Sequence, residues 1–168
     1  MPHKNIVLIG FMGSGKSMVS NRLAEILHRD VVSIDKFIEQ KEKRPIAMIF
    51  KDSGEAYFRE REREVVQEVA ARQSVIIDCG GGVVLNPENI TDLKRHGVLF
   101  FLSASAETIY QNIKGQEHRP LLSVPDPKAK IRELLKERKP FYGQADHTVE
   151  TDHKTLDQVC AEIVDLLK

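Results

Sequence analysis

Apolar residues come in short runs along this chain, separated by stretches whose apolar positions repeat with a helical period. Asn5-Ile6-Val7-Leu8-Ile9 is one such run and predicts a buried strand, with an amphipathic helix over 17–27 behind it. Residues 30–35 predict a second short strand ending in Asp35, after which 35–40 turn helical. Pro45 suits the first turn of a helix over 46–51; Ser53-Gly54 breaks it, and 55–71 form a long, charge-dense helix. Residues 74–78 are nearly continuous in apolar side chains, as a central strand should be, and run from Asp78 into Gly80-Gly81-Gly82. Asn86-Pro87 is an N-cap and first-turn pair for a helix through Lys94. A fourth strand over 97–102 and a helix over 103–113 follow, then a polar loop over 114–125. Asp126-Pro127 starts a helix to about Lys139, which Pro140 ends or kinks. A weaker fifth strand covers 147–151, and Thr155 with Gln158 predicts a capping box for the last helix. Strands alternating with helices predict a parallel sheet covered on both faces.

The 168 residues suit one domain with a proper core. Lys and Arg total 25, as do Asp and Glu, so net charge gives no reason to expect nucleic acid or an anionic membrane. Charge is uneven locally: residues 111–140 carry eight basic and four acidic side chains, which a solvated helix face or an anion site would explain. The two cysteines, Cys79 and Cys160, make no disulfide framework and suit a reducing cytoplasm. The first apolar run breaks at Gly10, too short for a secretory signal, and no stretch approaches a membrane span.

Gly10-Phe11-Met12-Gly13-Ser14-Gly15-Lys16-Ser17 changes the picture. It matches the P-loop spacing, and strand, glycine loop and helix are the context that motif needs. Gly10, Gly13 and Gly15 let the backbone aim N–H groups at phosphate, aided by the helix N-terminus. Lys16 can reach the β- and γ-phosphates, and the Ser17 hydroxyl can ligate Mg2+.

A P-loop names a nucleotide and no acceptor. Arg59 and Arg138 are candidate anion clamps, since guanidinium groups bind carboxylates in bidentate fashion, although an arginine on a charged helix is commonly a surface residue. Asp35 could take a proton from an attacking hydroxyl, or simply cap the next helix. The three glycines 80–82 weaken a strand end unless backbone must approach a ligand closely.

These segments together resemble the shikimate kinases. The P-loop over 10–17 looks like that family's, and Asp35-Lys36-Phe37-Ile38-Glu39 resembles the end of its Asp-x-Asp segment. Residues 54–62 resemble its Gly-Glu-x-x-Phe-Arg-x-x-Glu segment. Gly80-Gly81-Gly82 matches its triple glycine, Arg119-Pro120-Leu121-Leu122 its lid motif, and 138–142 its Arg-x-x-x-Tyr segment. The resemblance implies a three-layer α/β/α fold: a five-stranded parallel sheet of order 2-3-1-4-5 in a single P-loop kinase domain over 1–168. The lid would lie at about 114–125 and the acceptor region at about 35–63. It implies transfer of the ATP γ-phosphate to the 3-hydroxyl of shikimate, in the chorismate and aromatic amino-acid pathway, by a monomeric cytoplasmic enzyme using Mg2+. Arg59, Arg138 and the backbone of Gly81 and Gly82 would hold the shikimate carboxylate, with Gly80 also part of the substrate site. Asp35 would bind ring hydroxyls and act as base. Arg119 would stabilise the transferred phosphoryl group, and Phe50, Phe58 and Glu62 would line or brace the pocket. Gly13, Ser14, Gly15, Lys16, Ser17, Met18, Asn112 and Arg119 would contact the nucleotide.

Three positions depart from the family pattern. Ser33 stands where the first Asp of Asp-x-Asp is usual, Met18 where Thr is common, and Asn112 where several members carry an adenine-packing Arg. Since Ser33 supplies no carboxylate, Asp78 is expected to join Ser17 at the metal; its alternative role is to fix the glycine turn. Two other functions remain open on sequence. A kinase of another hydroxylated metabolite such as gluconate would leave the Arg59, triple-glycine and Arg138 set unexplained. A non-catalytic nucleotide-binding module would account for the three departures.

Overall fold

The computed structural model describes residues 3–116 and 123–168. Its five strands are β1 (Asn5–Ile9), β2 (Val31–Ser33), β3 (Ile76–Asp78), β4 (Gly97–Ser103) and β5 (His147–Glu150). Its α-helices are α1 (Lys16–Leu27), α2 (Ile34–Glu42), α3 (Ile46–Ala70), α4 (Pro87–His96), α5 (Ala106–Ile113), α6 (Pro127–Tyr142) and α7 (Leu156–Leu166). The strands form one parallel sheet of order β2-β3-β1-β4-β5.

Every residue of β1 is buried, because this strand lies at the centre with helices on both faces. Val7 and Ile9 join one apolar cluster with Val66 and Val69 of α3 and Leu93 of α4. Ile6 and Leu8 join the opposite cluster with Val19 and Leu23 of α1 and Ile163 of α7. The alternation is the period-two rule of a strand read on both faces at once. Leu23 is completely buried, so Leu23→Ala should cost about 2–5 kcal/mol. A third cluster sets Phe11 of the P-loop among Ile109, Ile113 and Ile131. The P-loop is therefore anchored to α5 and α6 as well as to the sheet.

The order 2-3-1-4-5 and the element sequence agree with expectation, and the capping box at Thr155 and Gln158 is present. Several boundaries differ. β2 stops at Ser33, whose hydroxyl accepts from Lys36 N and caps α2, so Asp35 lies in a helical first turn rather than at a strand end. β3 starts at Ile76, because Ser74 is left-handed (φ 62°) and cannot extend a strand. Gly54 (φ 84°, ψ 170°) interrupts α3 at the expected break, yet the helix resumes at once. α5 begins at Ala106 with Ser105 as cap. α6 passes through Pro140 and reaches Tyr142, whose ring stacks on Phe101 with centroids 4.3 Å apart. That stack, with Tyr142 buried, holds the last turn against the loss of one helical donor. Half of the expected lid, residues 117–122, lies outside the described residues.

Candidate active site

The P-loop turns from β1 into α1 through left-handed glycines, Gly13 (φ 78°) and Gly15 (φ 95°). Such turns build a concavity of backbone N–H groups that suits anions. A side chain at Gly13 would also collide with Ile113, its Cβ falling 2.7 Å from Cγ2. Lys16 is buried and bends back over the loop, Nζ donating to Gly10 O at 2.8 Å and Phe11 O at 3.1 Å. The buried Ser14 hydroxyl has no hydrogen-bond partner among the described residues. Backbone concavity, an unsatisfied hydroxyl and a lysine aimed at carbonyls fit a polyphosphate chain.

Ser17, at the start of α1, donates its hydroxyl proton to Asp78 Oδ2 at 2.8 Å. Met18 is 64% exposed on the first turn of α1. Asn112 reaches the loop from α5, Nδ2 donating to Gly13 O at 2.6 Å.

Beside the P-loop, three consecutive glycines each receive a different one of the candidate side chains. Asp35 packs on Gly80 so closely that an added Cβ would lie 2.5 Å from Oδ1. Arg138 Nη1 donates to Gly81 O at 3.1 Å. The Arg59 guanidinium lies against Gly82, where any Cβ would overlap it. Arg59 also pairs with the buried Glu62 at 3.0 Å and with Glu55 at 3.5 Å. Arg138 sits over the Phe11 ring, 5.3 Å from its centroid. Phe50 packs on Phe58 with centroids 4.6 Å apart, and Phe58 also lies under the Arg59 guanidinium. A cavity of about 240 Å3 borders this region, lined by Glu55, Arg59, Glu62, Gly82, Leu85, Asn86 and Asn89.

Three carboxyls here are held above their ordinary range. Burial, then the charge of Asp78, raises Asp35, with Lys16 and Arg59 opposing. Burial raises Asp78 against the Ser17 hydrogen bond and Lys16. Burial raises Glu62 against Arg59. Cys79, fully buried behind them, has its thiol pushed well up, mainly by burial, and is unsuited to nucleophilic work.

Lys16, Ser17, Asp35, Asp78, Arg59, Arg138 and the triple glycine thus form one contiguous region around the ends of β1, β2 and β3. Arg119 lies outside the described residues. Sequence reasoning missed Phe11 as the platform for Arg138 and Asn89 behind Gly82. Phe11 carried a signal, being a large aromatic inside a glycine loop; Asn89 carried none.

A P-loop entering a 2-3-1-4-5 parallel sheet, with a charged cleft beside it, defines a P-loop kinase fold. The shikimate kinase family model matches residues 12–168. A shikimate kinase from Caldanaerobacter subterraneus subsp. tengcongensis is 45% identical over 161 residues, 96% of this chain and 94% of that protein. One from Symbiobacterium thermophilum is 46% identical over 167 residues, 98% of this chain and 96% of that protein. The structure of Acinetobacter baumannii shikimate kinase in complex with shikimate superposes with a TM-score of 0.92 at 36% identity, covering 98% of this chain and 93% of that one. The chain belongs to the shikimate kinase family.

Proposed function

We propose that this protein transfers the γ-phosphate of ATP to the 3-hydroxyl of shikimate, a step toward chorismate and the aromatic amino acids. The observation that carries the reading is the convergence of Asp35, Arg138 and Arg59 on Gly80, Gly81 and Gly82, beside the P-loop. Two guanidinium groups on bare backbone suit a small carboxylate, which they can grip in bidentate fashion. The neighbouring carboxyl of Asp35 suits a hydroxyl nucleophile.

In this reading the 3-hydroxyl oxygen attacks the γ-phosphorus while the bond to the β–γ bridging oxygen breaks and ADP leaves. Asp35 accepts the hydroxyl proton; its raised affinity for protons makes it a better base at neutral pH than an ordinary aspartate. Lys16 turns from the Gly10 and Phe11 carbonyls to the phosphates. Gly13, Ser14, Gly15 and Ser17 bind them, Asn112 supports the loop through Gly13, and Met18 borders the nucleotide. Arg119 stabilises charge on the transferred group. Ser17 and Asp78 are the residues that would hold Mg2+, which when bound neutralises phosphate charge. Their direct contact supports this, because a hydroxyl and a carboxylate within 2.8 Å form an all-oxygen donor pair. A monomer in the cytoplasm completes the reading; the two free, buried cysteines suit the reducing compartment.

The test is ATP consumption over a panel of shikimate, gluconate and nucleoside monophosphates. Shikimate-dependent ADP release supports the reading. Binding of both ligands without turnover would point instead to a nucleotide-binding module.

A further inference from the structure

Asn89 is only 1% exposed, and its side-chain amide is used at both ends. Nδ2 donates to Val83 O at 3.0 Å, and Oδ1 accepts from Arg63 Nη1 at 3.2 Å. Only one orientation of the amide serves a carbonyl and a guanidinium together. Val83 is itself tied to the glycine loop, its N–H donating to Gly80 O at 3.2 Å, while Leu85 N–H donates to Gly82 O. Arg63 is fixed by Asp92 at 2.6 Å and Glu88 at 3.2 Å, both on α4. On α3, Arg63 lies one turn beyond Arg59, the residue whose guanidinium rests on Gly82. A single buried amide therefore links the helix that carries Arg59 to the loop that Arg59 touches.

We propose that Asn89 is a positioning residue for the acceptor: it sets the spacing between Arg59 on α3 and the backbone of Gly80–Gly82. This rests on the shikimate kinase reading. Phosphate binding draws on the P-loop, with which neither Asn89 nor Arg63 shares a hydrogen bond or ion pair among the described residues, so loss of the link acts on acceptor recognition and leaves ATP binding alone.

The variants are Asn89→Asp, which keeps the shape and the Arg63 contact but removes the donor to Val83, and Arg63→Lys, which keeps the charge but loses the fork. Each should raise the acceptor KM roughly tenfold, with ATP KM and kcat within about twofold of wild type. Amide exchange at Val83 and Leu85 should accelerate in parallel. Should Asn89→Asp fail to fold, Arg63→Lys alone decides. A lower Tm with unchanged acceptor KM and unchanged exchange overturns the proposal, as does an equal rise in both KM values. If the wild-type protein shows no shikimate turnover, the activity reading falls separately, and Val83 exchange in the variants still decides whether the link holds the loop.

Discussion

Ser33 and Asp78 occupy the same rung of the parallel ladder between β2 and β3. A carboxylate moved from one position to the other stays at the same depth in the sheet, one strand over. Asp78 is the member of the rung that contacts Ser17, whereas Ser33 caps α2. Asp78→Asn should therefore raise the Mg2+ requirement and lower kcat roughly tenfold or more, as loss of a carboxylate supporting a metal does. Ser33→Asp on that background should recover part of the loss, since Asp caps a helix as well as Ser. Mg2+ titrations of both variants check this. Unchanged Mg2+ dependence in folded Asp78→Asn would make Asp78 a brace for the glycine turn.

Gly82→Ala isolates a contact. The backbone there (φ −97°) suits any residue, so the fold should survive. The new methyl would occupy the guanidinium's place, and Arg59 must swing away. Acceptor KM should rise more than tenfold while ATP KM stays put, because one charge-assisted contact is worth about 1.5–3 kcal/mol. Steady-state kinetics with each substrate varied in turn measures it.

Arg138→Lys should lose the fork, its donation to Gly81 O and its seat on Phe11 together. The expected loss in acceptor kcat/KM is about 1.5–3 kcal/mol, again without a change in ATP KM. Wild-type kinetics in this variant would remove Arg138 from the acceptor site.

As the proposed base, Asp35 would set function against stability. Its carboxyl binds protons more tightly folded than unfolded, chiefly through burial. Between its ordinary and its raised value the folded state holds more protons, so this group's contribution to stability falls as pH rises through that window. Above the window the full penalty remains. Asp35→Asn should consequently raise Tm at neutral pH and flatten the loss of stability with rising pH, while kcat drops about 10²–10⁴-fold. Wild-type activity should fall as acid protonates the base. Thermal melts across pH, paired with turnover, check both signs; a lower Tm at neutral pH would contradict the burial argument.

Much of the fold was legible because its signals are local. The P-loop spacing, the apolar run of β1 and the Thr155–Gln158 capping box each lie within a few residues. The errors arose where two local rules competed. Val32 and Ile34 are both buried, as a strand would have them, yet Ser33 caps a helix and places Ile34 inside it. Pro140 signals a helix end, but the stack of Tyr142 on Phe101 comes from β4, far away in sequence. Asp35, Arg59 and Arg138 stood out through short motifs around them. Asn89 did not, since its role depends on α3, α4 and the turn after Gly82 meeting at one amide.

The central claim is tested most directly by the phosphorylated product. Incubating the protein with ATP, Mg2+ and shikimate and following 31P NMR should show ADP and one new phosphate monoester in equal amounts, its phosphorus coupled to the proton on C3. No monoester from shikimate, a phosphate on another hydroxyl, or transfer to gluconate in its place would contradict the account.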